Sequence, residues 1–306
     1  MVPTIYNQID ANRRKTFLLM IGFSLFIVLA VYILTRALGY ESVGALSFAG
    51  LFLVISGLIN LSSYYWSDKL VIALSGAQLL EKKDKPELYR AVENVCIAAG
   101  IPLPKIYIIT DPAPNAFATG RDPNHAAVAV TSGLLERLDD LELEGVVAHE
   151  LSHIKNYDSR LMSIVVILVG MIVILADMFF RMLWWGKVGD GDRKGSNTIF
   201  LLLGVIAAIL APIAANLIKL AISRRREFLA DASGALLTRY PEGLAKALIK
   251  ISQDPNTLKS ATNATAHMYI ANPFKGKQAK NWLVALFSTH PSVEERVAAL
   301  RAMTTS

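Results

Sequence analysis

The stretch Val146-Val147-Ala148-His149-Glu150-Leu151-Ser152-His153 decides how this chain is read. Its two histidines stand four positions apart, so on an α-helix they share one face about one turn apart. Two imidazoles in that arrangement reach a single metal ion. Zinc accepts neutral imidazole, and a catalytic zinc keeps three protein ligands and a water. Glu150 leaves the helix at a different angle, where it can hold that water and act as general base. The surrounding residues favour the helix. Asp139 and Glu142 have the spacing of a capping box, and Val146, Val147, Leu151 and Ile154 form an apolar stripe at helical spacing. The plain alternative is a chance pattern on a surface helix. With five histidines in the whole chain, that coincidence is rare.

A third ligand is needed, and the chain downstream suggests one. An apolar run at 161–180 begins soon after His153, and a second fills 198–222. If the two form an antiparallel hairpin, the segment Arg226-Glu227-Phe228-Leu229-Ala230-Asp231 returns to where His153 left off. Glu227 then completes the metal site, and Asp231, one turn on, accepts a hydrogen bond from a ligating histidine. Taken alone, both acids read as ordinary surface charges on a helix.

Composition sets the class. Of 306 residues, 53% are hydrophobic and only 18% charged, too apolar for an ordinary soluble domain. A single cysteine, Cys96, excludes an internal disulfide and a cysteine-rich zinc site; its helical, apolar setting makes it a buried thiol. The net charge of +6 fits anchoring at lipid headgroups, and no nucleic-acid motif accompanies it.

Four apolar runs are long enough to cross a bilayer. The first, 16–34, follows Arg13-Arg14-Lys15 and reads as an uncleaved signal anchor with its N-terminus in the cytoplasm. The second, 44–64, ends in the aromatic belt Tyr64-Tyr65-Trp66 and returns the chain to the cytoplasm. The third carries Asp177 near its end. The fourth contains Pro212, Asn216 and Lys219 and closes on Arg224-Arg225-Arg226. The polar loop between these last two carries four Lys/Arg against the positive-inside rule, which leaves open a hairpin that stops short of crossing.

Between the second and third runs the pattern predicts a helix over 85–100, short strands at 106–110 and 126–131, and a Pro/Gly/Asn/Asp-rich stretch at 111–125. Gly133 is expected to break the second strand. The C-terminal part reads as helical, with Ser292 and Glu295 spaced as a second capping box. The expected fold is mainly α with a small β-sheet: an integral membrane protein with four apolar helices and a cytoplasmic zincin-like catalytic domain. Its parts are two transmembrane helices in 1–66, a first catalytic segment in 67–160, a helical hairpin in 161–222 and a second catalytic segment in 223–306.

The pattern His149-Glu150-x-x-His153 followed by Glu227-x-x-x-Asp231 is similar to that of the glutamate-liganded zinc proteases, the gluzincins. Ala266-His267-Met268-Tyr269 and Ser288-Thr289-His290-Pro291-Ser292 extend the likeness. Over nearly its whole length the chain resembles the HtpX family of bacterial membrane-bound zinc metalloproteases, and more distantly the C-a-a-X prenyl proteases. The resemblance implies three further assignments. Asn115, Ala116 and Phe117 would lie beside the substrate cleft, where an extended substrate pairs with an exposed strand edge. His290 and Arg296 would stabilise the oxyanion. On the residues alone, Asn115 reads equally as a turn residue after Pro114, His290 as a residue preceding a helix, and Arg296 as an exposed helix arginine.

The expected activity is zinc-dependent peptide-bond hydrolysis, with one zinc per chain. It acts on misfolded or damaged membrane proteins at the cytoplasmic face of the inner membrane, with the lipid bilayer as the other partner and no nucleic acid. A prenyl-protein endopeptidase shares the metal site but calls for a larger membrane chamber. A membrane scaffold or holdase with a structural zinc has no use for Glu150. A transporter reading from Asn216 and Lys219 lacks paired broken helices.

Overall fold

The element at the centre of the fold is a helix, Asp140–Lys155, buried on nearly all sides. The chain is described by a computed structural model, over residues 5–37, 41–186, 224–262, 265–274 and 291–303. For 5–9, 34, 37 and 173–186 the backbone alone is described. The fourth apolar run with Pro212, Asn216 and Lys219, the preceding loop at 187–197, and His290 lie outside the described residues; so does the side chain of Asp177.

In chain order the helices are α1 (Ile5–Ala37), α2 (Ser42–Leu74), α3 (Pro86–Ala99), α4 (Ser132–Arg137), α5 (Asp140–Lys155), α6 (Asp158–Gly186), α7 (Arg224–Thr238), α8 (Pro241–Gln253) and α9 (Val293–Ala302). The strands are β1 (Gln78–Leu79), β2 (Lys105–Ile109), β3 (Ala116–Gly120) and β4 (Ala126–Thr131). They form one mixed sheet in the order β1-β2-β4-β3; β2 and β4 are parallel, and both outer pairs are antiparallel.

Two apolar layers sandwich this sheet. On one face, Ile106, Ala116, Ala118, Val128 and Val130 meet α3, α5, α8 and α9 through Leu88, Val92, Val147, Leu151, Leu244 and Leu300. On the other, Ile109, Phe117, Ala127 and Ala129 share a core with Leu161, Ile164 and Leu168 of α6 and with Leu19 and Phe23 of α1. Burial on both faces explains why these strands read as continuous apolar runs rather than as alternation. The third apolar run therefore begins inside the protein, not in lipid: every described residue from Leu161 to Val169 is buried.

Helix α5 starts where its cap dictates. The Asp139 side chain accepts from the Glu142 amide at 2.9 Å, and the Glu142 carboxylate accepts from the Asp139 amide at 3.0 Å. Such a cap contributes about 0.5–2 kcal/mol. The Ser292–Glu295 box opens α9 in the same way.

Three expectations need correction. Helix α2 does not stop at the aromatic belt but continues to Leu74, because Ser67, Val71 and Ile72 are buried against the rest of the protein and no Gly or Pro intervenes. The stretch at 111–125 contains a strand, β3. Gly133 does not end β4; it sits in the first turn of α4, where a Cβ would lie 2.0 Å from the Pro112 carbonyl oxygen.

Helices α1 and α2 are long and apolar enough to cross a membrane, over Asp10–Ile33 and Ser42–Leu74. Only 22% and 17% of their most apolar windows are buried, so neither is the core helix of a soluble domain. Phe17, Leu25, Leu29, Leu46, Val54 and Leu58 all point outward.

Candidate metal centre

On α7, Glu227, Asp231 and Gly234 fall at i, i+4 and i+7, one face of the helix. That face lies on α5. A Cβ at Gly234 would sit 3.0 Å from the His149 amide nitrogen, so the missing side chain lets the two backbones approach closely at the level of the histidines.

The approach brings His149, His153 and Glu227 together, each with a ligand atom within 4.8 Å of the others. The two Nε2 atoms are 3.2 Å apart, and the Glu227 carboxylate lies 3.8 Å from His149 Nε2 and 3.5 Å from His153 Nε2. Each ring is oriented from behind. His149 Nδ1 is 2.9 Å from Asp231 Oδ1, and His153 Nδ1 is 3.2 Å from Asp158 Oδ2. A proton on each Nδ1 leaves both Nε2 lone pairs facing the Glu227 carboxylate, three acceptors about one point. A cation fits that donor set.

The electrostatics agree. Burial, joined by the Arg296 charge, lowers the His149 pKa to about 4, keeping the ring neutral as a ligand must be. Burial also opposes charge on His153, but its hydrogen bond to Asp158 and the carboxylates of Glu227, Asp158 and Glu150 prevail and raise it to about 9. The site thus attracts one positive charge at the point where a metal ion would supply it. Glu150 projects to the side. Burial, supported by Glu227 and opposed by His153 and Arg296, pushes its carboxyl up to about 7. Its Oε1 is buried with no hydrogen-bond partner among the described residues, and the nearby Ala118 amide favours the charged carboxylate.

Arg296 is not the exposed helix arginine its local sequence suggests. It is 2% exposed, and its guanidinium forks onto Asp231, with Nε at 2.8 Å and Nη2 at 2.6 Å. Nη1 donates to the Ile270 carbonyl at 2.9 Å and lies 3.8 Å from Glu227. Burial opposes the Asp231 charge, but Arg296 and His149 more than offset this and hold the carboxyl below its usual range. Strand β3 begins beside the centre. Its flanking Asn115 is engaged by the Ala271 backbone, and the buried Phe117 ring meets Tyr269 edge to face at 5.2 Å.

The match to known proteins follows this geometry. Residues 82–304 match the profile of peptidase family M48. The chain belongs to that family. It is 45% identical to a Protease HtpX homolog of Dictyoglomus thermophilum, covering 98% of this chain and 95% of the relative. A Protease HtpX homolog of Ligilactobacillus salivarius is 43% identical, covering 98% and 100%. The crystal structure of S. mikatae Ste24p is 18% identical with a TM-score of 0.47, covering 97% of this chain and 66% of that one. As an M48 member, the chain is a metalloprotease.

Sequence reasoning missed one part of this M48 centre. Asp158, which opens α6, orients His153, and Asn12 of α1 donates to Asp158 Oδ1 at 2.7 Å and to the Asn156 carbonyl at 3.0 Å. An apolar helix is thereby tied to the carboxylate that orients His153. The available signal was an acid five positions after the second histidine. Asp158→Asn is expected to weaken metal affinity about 10–100-fold, since orienting partners of metal histidines typically contribute that much. Competition titration with a chromophoric chelator measures it; unchanged affinity would remove Asp158 from the centre.

Proposed function

We propose that the chain is a membrane-embedded zinc endopeptidase that holds one zinc through His149, His153 and Glu227. The observation that carries this reading is the convergence of three acceptor atoms beside a buried carboxylate oxygen of Glu150 that has no partner among the described residues. A structural site needs no such oxygen. Two imidazoles and one carboxylate, with a position left open, suit zinc in a hydrolytic role.

A zinc ion bound here would supply polarisation of the scissile carbonyl and a water of lowered pKa. Glu150 takes the proton of the attacking water and hands it to the leaving amine. Asp231 and Asp158 hold the two histidines in the tautomer that presents Nε2. Arg296, already bonded to a peptide carbonyl, donates to substrate carbonyl oxygen, and His290 joins it at the oxyanion. Asn115, Ala116 and Phe117 line the path of an extended substrate.

The membrane reading rests on outward-facing apolar side chains along α1 and α2, which suit hydrocarbon rather than water. Near the centre, Arg160 lies over the Tyr157 and Tyr64 rings at 4.8 and 5.3 Å, and Arg13 over Tyr157 at 4.7 Å. Arginine and tyrosine grouped this way fit the headgroup level. Asn12, next to Arg13-Arg14-Lys15, bonds Asp158, so the basic cluster and the centre share one side, cytoplasmic by the positive-inside rule. Membrane proteins with misfolded or exposed cytoplasmic segments are the substrates such a placement serves, in the inner membrane.

The test is cleavage of β-casein by the full-length protein in detergent and in liposomes. Cleavage should stop with a chelator and return with zinc. Cleavage that persists in a metal-free preparation would refute the reading.

A further inference from the structure

Strand β3 is the sheet's edge strand, yet its outer edge is not open. Residues 269–271 run along it antiparallel. The Ile270 amide donates to the Ala116 carbonyl at 3.0 Å. The Asn115 side chain brackets Ala271, donating to its carbonyl at 3.1 Å and accepting from its amide at 3.4 Å. Phe117 meets Tyr269 edge to face. The pairs 115 with 271, 116 with 270 and 117 with 269 keep one register. Two side chains follow this pairing: Ile270 joins the core layer of Ala116, and Tyr269 that of Phe117, while Ala271 packs in the same layer as Ile270.

The position of this segment matters more than its pairing. The Ile270 carbonyl is held by Arg296, which also grips Asp231 behind the ligand His149. The Ala118 amide, two residues along β3 and so about 7 Å away, lies near enough to the Glu150 carboxylate to favour its charge. The segment therefore occupies the strand edge that leads to the general base. Every group it uses, from the Ala116 carbonyl to the Asn115 amide and the Arg296 guanidinium, is one that an extended polypeptide would need.

We propose that Tyr269-Ile270-Ala271 is a built-in pseudosubstrate. It holds the cleft in the register of a bound substrate and withdraws when one enters. This rests on the protease reading above. An incoming chain remakes the same backbone hydrogen bonds, and its own side chains refill the buried places that Tyr269 and Ile270 leave. The register also names a preference: an aliphatic residue in the place of Ile270 followed by a small one in the place of Ala271, with little demand elsewhere.

The test uses full-length, zinc-loaded protein in detergent, carrying Glu150→Gln so that β-casein binds without being cut. Amide hydrogen exchange is followed at 266–274 with and without saturating β-casein, and binding is monitored by fluorescence anisotropy of the labelled casein. Exchange at Ile270 and Ala271 should accelerate at least about tenfold on binding. Protection that is unchanged or deeper with casein bound makes the segment a permanent fifth strand and overturns the proposal, leaving the protease reading intact. If casein neither binds nor is cut by the wild type, both readings fall. As a second arm, Ile270→Ala in the otherwise wild-type chain loosens the occupant by removing its core packing while leaving its backbone contacts to Ala116 and Arg296 available. Its kcat/KM on β-casein should rise several-fold at unchanged zinc content. A fall in kcat/KM would count against the proposal.

Discussion

Glu150→Gln should retain a full complement of zinc and lose about 10²–10⁴-fold in kcat, the range that a positioned general base contributes. The substitution preserves shape but removes the basic oxygen, which is buried beside the histidines with no partner among the described residues. Glu150 is placed by the geometry of α5, so the variant should fold like the wild type. Metal analysis and steady-state cleavage of β-casein on the same preparation check both halves. Substantial remaining activity would assign the proton transfer to another group.

Arg296→Leu should be the most destabilising single change in the centre. The guanidinium and Asp231 are both buried, and removal of one member of such a pair leaves the other as an uncompensated charge, costing about 3–5 kcal/mol. Loss of the Ile270 contact adds to this. Because Asp231 also orients His149, zinc affinity should fall with stability. Denaturant unfolding in excess chelator separates the two effects: the loss should persist without metal. Arg296→Lys keeps the charge but not the fork, and should fall between the two. A Leu variant as stable as wild type would show that the fork contributes little.

The parts of this centre differ in how plainly the sequence announces them, for physical reasons. Helix α5 is legible because metal chemistry imposes the i, i+4 spacing and its cap is local. Glu227 is legible only through the hairpin argument, and the small residues Ala230, Gly234 and Ala235 on α7 are a further signal of close helix packing. Arg296 is opaque. It follows Glu294 and Glu295 in a capped helix and looks solvated, while its partner lies far upstream in sequence. Strand β3 is hidden for another reason: all five of its residues are buried, so no period-2 alternation marks it. The segment 269–271 is too short to show any period. The extension of α2 beyond Tyr64-Tyr65-Trp66 shows that an apolar helix need not end where its aromatic residues do.

A metal ion joining α5 to α7 underlies every role proposed for this centre. The direct test is zinc per chain in purified wild type and in Glu227→Ala, measured side by side after dialysis against the same weak chelator. About one zinc per chain in the wild type and almost none in the variant is the predicted result. Equal zinc in both would contradict it, because the third ligand would then come from elsewhere and the proximity of Glu227 to the histidines would have no role in binding.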